Sequence, residues 1–296
     1  MHRFIAAFIL AASLRAQTSP FAGRWDFNLA PQRASWLGIT DQGGNLNVWY
    51  QPTGGHFYQI TELKQTGTHL VLTVDPNTIW DLTAGDSKLT GVQKRGGKTV
   101  ALTGVRAPEL NRKAPPSWTV PAPLFNGQDL TGWEPIGDAS KSHWVVQDGL
   151  LVNEAHGANL KSTRKFEDFK LHFEVLCPDG ANSGMYLRGR YEVQLEYEKE
   201  GTEPPERGMG SIYGRIAPTV ELPRKPGQWE TFDITLVGRS VSIWRDGVKI
   251  VENKEIEGIT GGALDANEGE PGPFYIQGDH TGGLKFRNIT VSVPQN

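Results

Sequence analysis

Apolar and polar residues alternate with a period of two along most of this chain, the spacing of strands that bury one face. Residues 18–106 contain about eight such runs: GRWDFNL, WLGIT, LNVWY, FYQITELKQ, HLVLTV, TIWDLTA, KLTGVQKR and TVALTGV, with Gly, Asn and Asp between them. Short strands in series with tight turns predict a small up-and-down barrel or a two-layer sandwich. Its interior is expected to be filled by side chains, in an accessory and structural role. Residues 107–123 break the pattern with Pro108, Pro115, Pro116, Pro121 and Pro123, which predicts a semi-rigid connector. Alternation resumes from Leu124 to Val293, so 124–296 reads as a second all-β domain. Helical spacing is nearly absent, and the best candidate, Arg164–Asp168, is one turn at most.

Met185–Tyr197, MYLRGRYEVQLEY, is the strongest single signal. Met185, Leu187, Tyr191, Val193, Leu195 and Tyr197 fall on one face, and Tyr186, Arg188, Arg190, Glu192, Gln194 and Glu196 on the other. Read as one strand it is longer than most. Its row of acids, cations and an amide suits the concave side of a curved sheet across which a polar ligand lies. FYIQGD at 274–279 alternates likewise, with Tyr275, Gln277 and Asp279 sharing a face, and predicts a second polar strand beside the first.

Composition narrows the partners. The 296 residues include 35 Gly, 19 Pro and nine Trp, the mix of a turn-rich β protein that handles polar ligands, and their length allows two cores. A net charge of −3 with no basic run offers nothing to gather nucleic acid or an anionic membrane. Arg3 followed by the apolar run Phe4–Leu14 and the Ala16-Gln17 junction reads as an export signal over residues 1–16, which predicts a periplasmic or secreted protein. That run is too short to cross a bilayer, and no later one approaches the required length, so the chain is not expected to span a membrane. The single cysteine, Cys177, excludes an intramolecular disulfide and reads as a buried thiol.

A series of motifs then falls in register over the second domain: LFNGQDLTGW at 124–133, WVVQDG at 144–149, FEDF at 166–169, Asn182-Ser183-Gly184, Arg188-Gly189, Glu192-Val193-Gln194, Ser211-Ile212-Tyr213-Gly214, Pro226-Gly227-Gln228-Trp229, Asp246-Gly247, Gln277-Gly278-Asp279-His280 and Phe286-Arg287-Asn288-Ile289. Taken in order they resemble the bacterial 3-keto-disaccharide hydrolase domain. The resemblance implies a concanavalin A-like two-sheet jelly roll with a carbohydrate site on its concave sheet. It also implies action on glycosides already oxidised at C3 of the sugar. The family pattern carries an acid where this chain has Tyr197.

A ketone at C3 acidifies the proton on C2, so a base can remove it, the C1 substituent can leave by elimination, and water can add to the enone. Such a site needs a base, a proton donor for the leaving oxygen, and donors where enolate charge develops. Glu192 is the expected base. His280 is the expected acid, because an imidazole can give and take a proton near neutrality. Arg188 and Gln194 are expected to hold sugar oxygens or the enolate, Asn182, Tyr213 and Gln277 to bind substrate, and Asp279 to orient His280 or bind sugar. Glu154, in the NEAHGAN loop, is a further candidate at the rim. The sequence points to no definite cofactor. The spacing of Glu, Asp and His matches no metal motif, so metal involvement stays open, with a divalent cation such as Ca²⁺ the natural occupant. Two other readings use the same face. Glu192-Val193-Gln194-Leu195-Glu196 echoes the ExDxE strand of family 16 retaining glucanases, but with Gln194 where the helper carboxylate belongs. A lectin-like carbohydrate-binding module would instead show exposed aromatics and no perturbed titratable group.

Overall fold

The computed structural model describes residues 19–295, so the expected export signal lies outside the described residues. The first nine strands are β1 (Gly23–Ala30), β2 (Arg33–Gln42), β3 (Asn45–Gln51), β4 (Tyr58–Ile60), β5 (Leu63–Thr66), β6 (His69–Asp75), β7 (Thr78–Ala84), β8 (Lys88–Arg95) and β9 (Lys98–Arg106). They form one antiparallel sheet in the order β4-β3-β2-β1-β9-β8-β7-β6-β5. The two outermost strands, β4 and β5, are consecutive in sequence and separated only by Thr61 and Glu62. So short a link forces the sheet to curl until its edges meet, which makes a barrel. Across the seam the Thr73 amide donates to the Glu62 carbonyl at 3.0 Å and the Tyr58 hydroxyl to the Val74 carbonyl at 2.5 Å. FYQITELKQ, expected as one strand, is thus the two edge strands on either side of that link.

Alternate residues fill the barrel interior. Trp25, Phe27, Leu37, Val48, Tyr50, Leu70, Leu72, Trp80 and Leu82 form one buried cluster, with the Phe27 and Trp80 rings 4.8 Å apart. Gly104 is required there: a β-carbon would come within 2.4 Å of the Phe27 ring. Side chains therefore occupy the space a ligand would need.

The second unit contains β10 (Ala122–Pro123), β11 (Trp133–Pro135), β12 (Trp144–Gln147), β13 (Leu150–Asn153), β14 (Leu160–Ser162), β15 (Phe169–Leu176), β16 (Asn182–Leu187), β17 (Tyr191–Glu196), β18 (Trp229–Val237), β19 (Ser240–Arg245), β20 (Val248–Glu255), β21 (Tyr275–Ile276) and β22 (Lys285–Ser292). One sheet runs β12-β13-β22-β15-β18-β19-β20, with β10 also pairing β22; the other runs β11-β14-β21-β16-β17. Both are antiparallel, and their inner faces share a core that includes Phe173, Phe232 and Phe286 from the first sheet and Met185, Val193, Leu195 and Ile276 from the second. This is a two-sheet jelly roll, and the whole fold is all-β. Among the described residues the only helical turns are short ones at Ala139–Lys141 and Pro205–Arg207, and none is long and apolar enough to cross a membrane. Cys177 is buried, and burial pushes its thiol up, away from the reactive thiolate form.

Met185–Tyr197 departs from the single strand expected. Arg188-Gly189-Arg190 is a turn, with Arg188 and Gly189 both in the left-handed region at φ 53° and 69°, and the chain doubles back to pair β16 with β17. The parity survives because the turn pairs Tyr186 with Glu192 and Gly184 with Gln194 across the hairpin, on one face. FYIQGD is likewise shorter as a strand, since only Tyr275–Ile276 pairs regularly, between β14 and β16.

The barrel is firmly docked on the jelly roll. Ala34 and Trp36 of β2 are buried in the jelly-roll core, not in the barrel's own. The Arg215 guanidinium lies 4.4 Å from the Trp36 ring centroid and 4.7 Å from that of Phe57, and donates twice to the Ile259 carbonyl, at 2.6 and 3.1 Å. Asn28 accepts from the Ala266 amide at 2.8 Å, and the Gly262 amide donates to the Thr53 carbonyl at 3.0 Å. Asp26 is buried close to the Arg239–Glu268 ion pair, and burial followed by the Glu268 charge raises its carboxyl well above the ordinary range. The proline-rich strap is held too: Leu110 is buried, and the Thr119 amide donates to the Val293 carbonyl at 2.9 Å.

Candidate active site

The polar face of the β16–β17 hairpin floors a cavity of about 440 Å³. Jelly-roll residues from β16, β17 and the 277–280 segment line it, together with Gln32, Arg33 and Thr53-Gly54-Gly55 of the barrel. The floor is polar although the strands are buried, because Tyr186, Glu192 and Gln194 are each 3% exposed or less. Gly184, opposite Gln194, leaves room for the acid: a β-carbon there would sit 2.3 Å from Glu192 Oε1.

Glu192 is the centre of the arrangement. Its backbone amide donates to Thr260 Oγ1 at 3.0 Å, and its Oε2 lies 2.8 Å from the Tyr186 hydroxyl. That hydroxyl is also 2.6 Å from the Gly261 carbonyl and accepts from Gln277 Nε2 at 3.0 Å. A phenol has one hydrogen to give. With Glu192 ionised, the carboxylate and the Gly261 carbonyl compete for it; with Glu192 protonated, the acid donates to the phenol oxygen and the phenol donates to the carbonyl, so every partner is satisfied. Hydrogen-bond counting therefore favours a proton on Glu192. The electrostatics agree: burial, with the Asp279 charge adding to it, pushes the carboxyl up to about 8 against the opposing hydrogen bond from Tyr186.

Around this acid the donors and acceptors are fixed. Tyr186 and Tyr275 stack with ring centroids 3.9 Å apart, and the Tyr275 hydroxyl donates to the Gly262 carbonyl at 2.6 Å. Burial, and next the Glu192 charge, holds both phenols well above their ordinary value, so they stay neutral donors. Gln194 Nε2 reaches Asn182 Oδ1 at 3.4 Å, while the side-chain oxygens of Gln194 and Gln277 are buried with no partner among the described residues. Unpaired buried acceptors on a cavity wall suit the hydroxyls of a sugar. His280 Nδ1 lies 3.0 Å from Asp279 Oδ1, and Asn159 Nδ2 donates to Asp279 Oδ2 at 3.2 Å. Burial works to raise Asp279, but the hydrogen bond and charge of His280, with the help of Asn159, outweigh it and hold the carboxyl below its usual range.

Seven of the residues singled out from the sequence line this cavity: Glu192, His280, Asn182, Gln194, Tyr213, Gln277 and Asp279. Arg188 does not. In the hairpin turn its guanidinium donates to the Gly238 carbonyl at 2.7 Å and to the Tyr191 hydroxyl at 3.2 Å, so it anchors the turn outside the cavity lining. Glu154 is exposed in its loop and is not part of the cavity wall. Tyr197 faces the core, where its hydroxyl donates to Glu230 Oε2 at 2.6 Å. Sequence reasoning passed over Tyr186, whose parity with Glu192 was the available signal, and Asn159 and the barrel residues, for which there was none. Among the described residues no three His, Cys, Asp or Glu side chains gather as metal ligands; the oxygen donors of the cavity are mainly amides and hydroxyls.

A cavity walled by amides, phenols and carboxyls on a two-sheet β domain suits a polar ligand such as a carbohydrate. Residues 120–292 match the family described as the 3-keto-alpha-glucoside-1,2-lyase-like domain, and the chain belongs to that family. Among solved structures it is similar to a candidate glycosyl hydrolase from Parabacteroides distasonis ATCC 8503, at 27% identity over 62% of this chain and 93% of that one, with a TM-score of 0.50. A second candidate glycosyl hydrolase from the same organism is 20% identical over 60% of this chain and 94% of its own, with a TM-score of 0.47. No curated protein matches the sequence.

Proposed function

We propose that this protein cleaves glycosides whose sugar has already been oxidised to a ketone at C3, by elimination followed by hydration. The observation that carries this reading is Glu192: a carboxyl buried on the cavity floor, pushed up to about 8, and hydrogen-bonded to the neutral phenol of Tyr186. A carboxylate so desolvated is a far stronger base than one in water, which is what removal of a proton from carbon demands.

In the first step Glu192 takes the C2 proton, and the electron pair moves into the C3 carbonyl to give an enolate. Hydrogen-bond donors lining the cavity, among them Asn182, Gln194 and Tyr213, stabilise that charge. The pair then returns to form the C1–C2 double bond as the C1–O bond breaks, and His280, oriented by Asp279, gives its proton to the leaving oxygen. Water adds to C1 of the enone, losing a proton to His280, and Glu192 returns its proton to C2. The products are a 3-keto sugar and the free leaving group, and both residues end as they began.

The buried, mutually stacked Tyr186 and Tyr275 offer no open aromatic platform, which speaks against the lectin-like reading. Incubating the protein with 3-keto-trehalose or a 3-keto aryl glucoside is the test. Release of the leaving group from the oxidised compound and none from its unoxidised parent is expected, because only the ketone acidifies C2. Equal turnover of both would favour a retaining glycosidase, and binding without turnover of either a lectin.

A further inference from the structure

We propose that the barrel supplies the leaving-group subsite of this cavity and that Arg33 selects leaving groups carrying a negative charge; the inference rests on the reading above for which end of the cavity holds the reacting ring. The groups assigned to chemistry all come from the jelly roll. A ring placed with C2 on Glu192 and its C1 oxygen at His280 occupies the jelly-roll side of the cavity, which leaves the part lined by the barrel for the rest of the leaving group. The cavity, about 440 Å³, falls among sites of about 300–1,000 Å³ that enclose ligands larger than one ring.

The barrel wall is rigid. Arg33 opens β2 directly after Gln32, which holds the tight β1–β2 turn in the left-handed region at φ 58°, and Ala34 and Trp36 beyond it are buried in the jelly-roll core. Beside it, the Gln51 amide donates to the Pro52 and Gly55 carbonyls at 3.0 and 2.9 Å, fixing the 52–55 loop. That loop meets Gly261 so closely that a β-carbon there would lie 2.1 Å from the Gly55 carbonyl oxygen. Arg33 itself has no ion pair or side-chain hydrogen bond with any described residue, although it lines the cavity. Its planar fork of donors is thus free for a carboxylate, which it matches in two parallel bonds.

The test uses the full chain and ligands that the proposed chemistry leaves intact: unoxidised 4-carboxyphenyl and 4-carbamoylphenyl glucosides, in both anomers, titrated by calorimetry at low salt. Wild type should bind the carboxylate about two- to fivefold more tightly than the amide, the scale of one exposed, partly screened charge pair. Arg33→Ala should abolish that preference, with an unchanged circular dichroism spectrum and melting temperature reporting an intact fold, and Arg33→Lys should restore part of it. No preference in wild type, no binding of either compound, or a preference that survives Arg33→Ala would overturn the proposal. Turnover of the 3-keto amide compound is followed in parallel. Its absence alongside an Arg33-dependent binding preference would overturn the reaction assigned above and leave the subsite standing.

Discussion

Glu192→Gln should lower kcat on a 3-keto glycoside by about 10²- to 10⁴-fold, the usual worth of a positioned general base. The substitution keeps the shape of the side chain and its contact with Tyr186, so KM should change little. The pH dependence follows from the raised carboxyl. A base acts only when ionised, and with Glu192 at about 8 the wild-type kcat/KM should climb with pH through neutrality. The residual activity of the Gln variant should lack this limb. Stability should move the opposite way: the folded chain holds the Glu192 proton more tightly than the unfolded chain, so stability present at low pH is lost as pH rises from the ordinary carboxyl value of 4.5 to about 8. Rate measurements and chemical denaturation between pH 5 and 9 check both, and a wild-type rate independent of pH across that range would remove Glu192 as the base.

The second large effect is expected at Trp36. The residue belongs to the barrel by sequence but is 2% exposed within the jelly-roll core, under the Arg215 guanidinium. Gly258 is needed to admit it, since a β-carbon there would come within 2.4 Å of Trp36 Nε1. Trp36→Ala should therefore cost about 3–5 kcal/mol, as large aromatic truncations in cores do. The loss should fall on the jelly roll as well as on the barrel, and it should loosen the wall that carries Arg33 and the 53–55 loop. Denaturation of the variant, followed by tryptophan fluorescence and by proteolysis of the strap, should show the jelly roll unfolding earlier than in wild type. An unchanged jelly-roll transition would mean that the two units are energetically independent.

Strand parity made the site partly legible in the sequence. Glu192 and Gln194 share a face by alternation alone, and Tyr186 shares it too, because a three-residue turn returns the chain in the same phase. The turn itself was hidden: Arg188 adopts a left-handed conformation that arginine rarely takes, and a single glycine between two arginines looks like one more pair of outward charges in an alternating strand. Arg188 was misplaced for that reason. Burial of the floor was hidden as well, since alternation separates two faces without saying whether the polar one meets water or a second domain. The barrel's wall was beyond reach because Gln32 and Thr53 share a cavity with Glu192 only once the barrel docks on the jelly roll, a meeting of segments more than a hundred residues apart.

The central claim is that the C2–H bond breaks before the leaving group departs. A 3-keto aryl glucoside carrying deuterium at C2, compared with its unlabelled twin under single-turnover conditions, tests it most directly. Slower release of the phenol from the deuterated compound, with the effect present in wild type near pH 8, is the expected result. Identical rates for the two compounds in a chemistry-limited turnover would contradict it.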